Sequence, residues 1–180
     1  MTKYKLGDIC HLEKGKSPIQ KTLPGSYPLV ATSEERLTAD SFQFQHASVC
    51  VPMVSSTGHG HASLKRIHYQ EGQYALGNIL CAIWSKDEGV LLTKYLYILL
   101  SHRKDDMIVP LMKGSTNVAL SMRDLKGLEI DVPGIELQEE IVERYEEIVE
   151  GYLTDLQIEI RCLIKLETAC RSAFLDELLA

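Results

Sequence analysis

The stretch Leu128-Glu129-Ile130-Asp131-Val132-Pro133-Gly134-Ile135-Glu136-Leu137-Gln138-Glu139-Glu140-Ile141 changes period at its centre. From Leu128 to Val132 apolar and acidic residues alternate, as in a strand with one buried face. Pro133-Gly134 ends that strand: proline cannot extend a ladder through a sheet interior, and glycine frees the chain to turn. Beyond it, apolar residues recur at Leu137, Ile141, Tyr145, Ile148, Tyr152, Leu156, Ile160, Leu163, Leu166, Cys170, Phe174 and Leu178. Steps of three and four make one helical stripe, and the residues between are mostly Glu, Asp, Arg and Gln. Glu136, Glu139 and Glu140 in the first turns suit the helix dipole. Consecutive steps of four from Ile148 to Ile160 insert a stutter into the heptad. The spacing predicts a long, locally irregular helix of some 65 Å, at 1.5 Å per residue, with a bend near Gly151 and a partner helix against its stripe. The other reading of the same pattern is two shorter helices folded back on the preceding domain.

The charge divides at the same place. Residues 1–133 carry 15 Lys/Arg against 13 Asp/Glu, a net of +2, and residues 134–180 carry 4 against 12, a net of −8. The whole-chain value of −6 therefore hides a segment able to meet phosphates and one unable to. We expect two domains, 1–133 and 134–180.

At 180 residues and 45% hydrophobic, the chain suits one domain with an extended element. Its longest apolar runs, of which Tyr95 to Leu100 is one, fall far below the roughly 18 residues of a membrane span. The start, Met1 to Asp8, has no apolar stretch of signal-peptide type. Five scattered cysteines (Cys10, Cys50, Cys81, Cys162, Cys170) form no C-x-x-C pair. Free thiols in a reducing compartment follow, so a soluble, cytoplasmic protein is expected.

The first 133 residues read as mixed α and β. Ser48–Val54 and Asn78–Trp84 are β-rich apolar runs, hence buried strands. Leu64–Tyr69 and Gln73–Leu76 flank a turn at Glu71-Gly72, and a helix follows Thr93, its expected N-cap. Ser121-Met122-Arg123-Asp124 reads as a capping-box variant. The fold class expected is α+β, a mixed domain followed by a long amphipathic helix.

Three polar, glycine-containing stretches interrupt that domain: Glu13–Gly25, Ser55–Ser63 and Lys113–Asn117. The first holds Lys14, Gly15, Lys16 and Ser17, but a phosphate-binding G-x-x-x-x-G-K-[ST] loop needs glycine at position 10, which is Cys10. A flexible loop with two cations and a hydroxyl remains. The second holds Ser56, His59 and His61, with Lys65 and His68 nearby. Two histidines at spacing two hold a metal only with further ligands, and no carboxylate or cysteine sits at a suitable offset. The third holds Lys113, Ser115 and Asn117. Each loop suits phosphate or base contact, and each suits a plain solvated turn. No nucleophile elbow, H-E-x-x-H helix or GxGxxG junction occurs, so no motif points to an enzyme.

The order of fragments along the chain resembles a specificity subunit of the type I DNA restriction–modification systems, in a half-subunit form with one target recognition domain. The resemblance runs through Tyr4-Lys5-Leu6-Gly7-Asp8-Ile9, Gly15 to Pro18, Gly58 to Gly60, Glu71-Gly72, Asn78 and Lys94 to Tyr97. It continues through Lys113 to Ser115, Leu120-Ser121 and Asp124-Leu125. The strand-to-helix junction, usually hydrophobic-Pro-Pro-Leu followed by Glu-Gln and an isoleucine, stands here as Ile130 to Ile141. Gly134 replaces the second proline, and Leu137 the glutamate before Gln138.

This resemblance implies a non-catalytic reader of double-stranded DNA. Methylation with S-adenosylmethionine would belong to a methyltransferase (M) subunit, and ATP- and Mg-dependent translocation and cleavage to a restriction (R) subunit. The chain itself would carry no cofactor and no metal. Its DNA-facing residues are expected to be Lys14, Lys16, Ser17, Ser56, His59, His61, Lys65, Lys113, Ser115 and Asn117. A homodimer is expected through Ile141, Tyr145, Ile148, Tyr152, Leu156, Ile160, Leu163 and Phe174. Two other classes stay open: a metal- or cysteine-dependent enzyme using His59, His61 and one cysteine, and a coiled-coil adaptor with no DNA role.

Overall fold

The apolar runs at residues 48–54 and 78–84 become two neighbouring strands, β5 (Ser48–Pro52) and β8 (Leu80–Ser85). They pair antiparallel, from Val49 opposite Ile83 to Pro52 opposite Leu80. The structure, a computed structural model, describes residues 1–179 apart from Glu34, Arg36, Gly58 and His59, with side chains as far as Ile164. The chain divides into two compact units, Met1–Glu139 and Glu140–Ala180.

In the first unit, β2 (Cys10–Lys14) pairs with the outer side of β8, and β6 (His68–Gln70) with the outer side of β5. The result is a four-stranded antiparallel sheet in the order β2-β8-β5-β6. Strand alternation turns Cys50, Leu80 and Ala82 to one face. There they pack with Val30, Phe44, Tyr74 and Leu76 in one buried cluster. Val49, Val51, Cys81 and Ile83 occupy the other face and are fully buried. The helix α2 (Thr93–Met107), which packs on β5, β6 and β8, covers that side. A second sheet joins β3 (Tyr27–Val30) to β4 (Leu37–Ala39) antiparallel and to β7 (Ala75–Leu76) parallel. A two-stranded sheet joins β1 (Thr2–Lys5) to β9 (Glu129–Val132). Two short helices, α1 (Leu6–Ile9) and α3 (Met122–Lys126), lie against each other.

Leu64–Tyr69 and Gln73–Leu76 flank Gly72, which has φ +72°, without pairing with each other. Instead β6 pairs with β5 and β7 with β3. The domain is mixed α and β, as its patterning requires, with two local differences. Thr93 is not the cap of α2 but its first residue. Its hydroxyl accepts from Ser85 N (3.0 Å) and donates to Glu88 Oε1 (2.5 Å), while Glu88 Oε2 takes the Thr93 N–H (2.9 Å). A carboxylate thus does the capping, at the end of the helix where the dipole favours it. Ser121 does cap α3, accepting from Asp124 N at 3.0 Å, but Asp124 returns its carboxylate to the Ser121 hydroxyl (2.8 Å).

The long helix, α4 (Ile135–Leu179), carries no break in secondary structure at Gly151. Its first turn belongs to the first unit, and Gln138 is the reason. That side chain is fully buried. Its Oε1 accepts from Leu92 N at 2.9 Å, and its Nε2 donates to Val90 O at 3.0 Å and Pro133 O at 2.9 Å. Three main-chain groups that the β8–α2 connection and the β9–α4 turn leave unpaired are satisfied by one amide. In the second unit the side chains of Ile148, Tyr152, Leu156, Ile160 and Leu163 are exposed. Phe174 lies outside the residues whose side chains are described. Among the described residues, no helix is long and apolar enough to cross a membrane.

Gln138→Leu keeps the bulk but orphans the Leu92 N–H and the Val90 and Pro133 carbonyls. We expect a loss of about 3 kcal/mol in urea unfolding. A loss under about 1 kcal/mol would mean that the amide is dispensable.

Candidate nucleic-acid interface

Antiparallel register decides which loops share an end of the sheet. Lys14, last in β2, stands opposite Cys81, and Pro52, last in β5, stands opposite Leu80. Both strands therefore finish where β8 begins. β6 runs against β5 with His68 opposite Cys50, so the residues just before it, Lys65 and Arg66, approach the same end. The chain after Pro52 then pairs onward: Met53 O accepts from Leu120 N (2.9 Å), and Ala119 bridges to both Val54 and Lys113. All three polar stretches read from the sequence are drawn together by this register. The root of α4 lies at the opposite end of the sheet: Cys10 pairs with Ser85, Ser85 N meets Thr93, and Leu92 N meets Gln138.

In the first stretch, Glu13 and Lys14 belong to β2 rather than to a loop. Gly15 is buried against the β7–β8 turn, where a Cβ would stand 2.2 Å from Gly77 O and 2.4 Å from Leu76 O. Only glycine allows that approach. Ser17 continues the contact, donating its N–H to Leu76 O (3.0 Å) and accepting from Asn78 N (3.1 Å). Lys16 is exposed and pairs with Glu13 at 3.0 Å. That ion pair and a bond from Gln43 hold the Glu13 carboxyl below the usual carboxylate range.

The second and third stretches touch each other. Gly60 has φ +82°, and a Cβ there would meet Ser115 O at 2.7 Å. The second stretch is also knotted internally: Ser55 Oγ donates to His61 O (2.6 Å), and Thr57 Oγ1 to the same carbonyl (3.1 Å). Ser56 Oγ accepts from Lys65 N at 2.8 Å, so its first task is to hold the loop. His61 is exposed, and His59 lies outside the described residues. In the third stretch Lys113 reaches the Asp124 carboxylate at 3.4 Å, and Ser115 and Asn117 are exposed. The Ser121 hydroxyl and then Lys113 hold Asp124 below its ordinary range.

Lys14, Lys16, Lys65 and Lys113 thus stand exposed at one end of one sheet. Arg66 joins them, a residue that the sequence reading passed over. No local motif marks it; only the β5–β6 pairing brings it there.

Three of the five cysteines are withdrawn from chemistry here. Cys10, Cys50 and Cys81 are buried, and burial pushes each thiol up to about 12, where it is neither a nucleophile nor a ready ligand. Among the described residues no three His, Cys, Asp or Glu side chains come together as a metal site.

Cations clustered on one side of a domain are the electrostatic footprint by which a nucleic-acid-binding surface is sought. The chain belongs to the family of type I restriction modification DNA specificity domains, whose model matches residues 1–161. It is similar to the S subunit of a type I restriction-modification system from M. genitalium, with 22% identity and a TM-score of 0.67 over 83% of this chain and 39% of that one. The HsdS subunit from Thermoanaerobacter tengcongensis is similar at 18% identity and TM-score 0.58, over 83% and 37%. A chain from a structure of complex assembly and conformational transition in the type I R-M system is similar at 20% identity and TM-score 0.59, over 91% and 42%. The chain spans about two fifths of the length of these proteins. No curated protein matches it in sequence.

Thiol labelling of the native protein at pH 7.5 should modify Cys162, which is exposed, and spare Cys10, Cys50 and Cys81 until urea unfolds the domain. Peptide mapping by mass spectrometry reads the result. Fast labelling of Cys50 in the folded state would reopen the cysteine chemistry.

Proposed function

We propose that this chain is the DNA-reading part of a type I restriction–modification specificity subunit, a sequence-specific reader with no catalytic step of its own. The observation that carries the reading is the gathering of Lys14, Lys16, Lys65, Arg66 and Lys113 at one end of the sheet. From β2 to β6 is three strand spacings, roughly 14 Å, close to the roughly 12 Å width of a duplex major groove. Cations on the two edges therefore face phosphates on either side of a groove. Ser17, Ser56, His61, Ser115 and Asn117 lie among them as further contacts, and His59 is assigned with them from sequence alone.

Residues 1–133 form the target recognition part of this scheme and residues 134–180 the dimerisation and spacing part. Methylation would fall to a methyltransferase subunit using S-adenosylmethionine, and ATP- and Mg-dependent cleavage to a restriction subunit. An exposed apolar stripe through Ile148, Tyr152, Leu156, Ile160 and Leu163 is unfavourable in water. We assign to it the stripe of a second copy, extended at its ends by Ile141, Tyr145 and Phe174 in a coiled-coil-like pairing. Two identical readers about a two-fold axis call for two half-sites in inverted orientation, separated by a spacer that the helix length dictates.

Lys16→Glu and Lys113→Glu should each weaken binding to every duplex alike. Each should lower the slope of log affinity against log salt by about one. Fluorescence anisotropy across a salt series measures both, and an unchanged slope in both variants would place DNA on another face.

Sedimentation at micromolar concentration should give a dimer for the whole chain and a monomer for a truncation after Glu139. The cut falls there because Gln138 belongs to the first unit. A monomeric whole chain would remove the homodimer.

A further inference from the structure

Gln43, in the connection from β4 to β5, bonds the first cationic stretch with both polar atoms of its side chain. Its Oε1 accepts from Lys16 N at 2.9 Å, and its Nε2 donates to Lys14 O at 2.9 Å and to Glu13 Oε1 at 3.0 Å. Only one orientation of the amide serves all three, since the Lys16 N–H needs an acceptor and the two oxygens need donors. The same Glu13 oxygen takes the Lys16 ammonium at 3.0 Å. Lys16 is therefore held twice, by its main chain directly and by its side chain through Glu13.

This clamp stands on the core. Gln43 N and Phe44 N both donate to Tyr74 O, at 2.9 and 3.1 Å, and Tyr74 N donates back to Phe44 O at 3.0 Å. Phe44 and Tyr74 are buried, with their rings stacked 5.2 Å apart. From the other side the stretch is tied to the β7–β8 turn, by Gly15 N to Leu80 O and Ser17 N to Leu76 O, both 3.0 Å. A stretch read from sequence as a flexible loop thus has its main chain bonded from two directions. Lys14 keeps its ladder place opposite Cys81 without Gln43. Lys16 stands beyond that ladder, and its N–H goes to Gln43 instead of to a strand.

We infer that Gln43 is a positioning residue of the DNA grip, one that touches no DNA and fixes the main chain from which Lys16 reaches a phosphate. Ordering of loops and side chains is a cost that binding must overcome, and a stretch already fixed in the free protein avoids most of it. With the main chain held by Gln43, a phosphate has to order only the Lys16 side chain. Without Gln43 the charge is still present, but residue 16 must be ordered as well. The effect is on affinity and not on the number of phosphates met. This inference rests on the DNA-binding function proposed above.

The test measures binding of one mixed-sequence duplex across a salt series, for the whole chain and for Gln43→Met, Lys16→Gln and the double variant. Gln43→Met should weaken binding roughly fivefold with the salt slope kept, because no charge is lost. Lys16→Gln should lower the slope by about one. In the Lys16→Gln background Gln43→Met should change nothing further, since the two act through one contact. Hydrogen exchange supplies a readout without DNA. The Lys16 amide should be protected in the native chain and exchange faster in Gln43→Met, while the β5–β8 amides keep their protection and report an intact fold. An unprotected Lys16 amide in the native chain overturns the clamp, whatever the variants do. Native affinity in Gln43→Met, or equal weakening with and without Lys16, overturns the positioning role and leaves the DNA-binding face standing. Native affinity and slope in Lys16→Gln, or a native chain that retains no duplex, removes that face and this inference with it.

Discussion

The register of β5 on β8 is the constraint from which the rest follows. Val49, Cys50, Val51 and Leu80 through Ile83 are all buried, with side chains committed to one face or the other. A slip of β5 by one residue would exchange its faces, setting Cys50 against α2 and withdrawing it from the Phe44–Tyr74 cluster. The register cannot drift without losing both halves of the core. It also decides that β2 and β5 end, and β8 begins, at one edge of the sheet.

From that edge the functional geometry unfolds in steps. Gly15 lets the chain after β2 press against the β7–β8 turn, and Gly60 lets the second loop rest on the third. Lysines that are 99 residues apart in sequence, Lys14 and Lys113, thereby share one surface. Glu13 and Asp124 lie under Lys16 and Lys113. These pairs are exposed, so they orient the cations more than they stabilise the fold. The same acids temper the positive end.

At the other edge, Gln138 has a role that packing alone would not suggest. Its amide closes three main-chain positions from two connections, tying the first turn of α4 to the domain that precedes it. The junction thus places glutamine at a buried position where both an acceptor and a donor are needed. Leucine would fill the space without serving either, and glutamate would lack the N–H groups.

Long-period signals were the ones that sequence determined alone. The alternation through Leu128–Val132, the stop at Pro133-Gly134 and the stripe beyond it became β9 and α4, because local periodicity and the need to bury one face agree there. The two apolar runs became β5 and β8 for the same reason. Short, half-polar strands were not legible. β2 includes Glu13 and Lys14, and β3 and β4 are only four and three residues long. Their pairing is decided by partners distant in sequence, and so is the separation of β6 from β7. Of the interface, the lysines could be read from polar, glycine-containing stretches. Arg66 and the buried His68 Nε2, without a hydrogen-bond partner among the described residues, could not. Their surroundings are set by the pairing of β6 with a strand that ends sixteen residues earlier, and only the folded chain brings those two strands side by side.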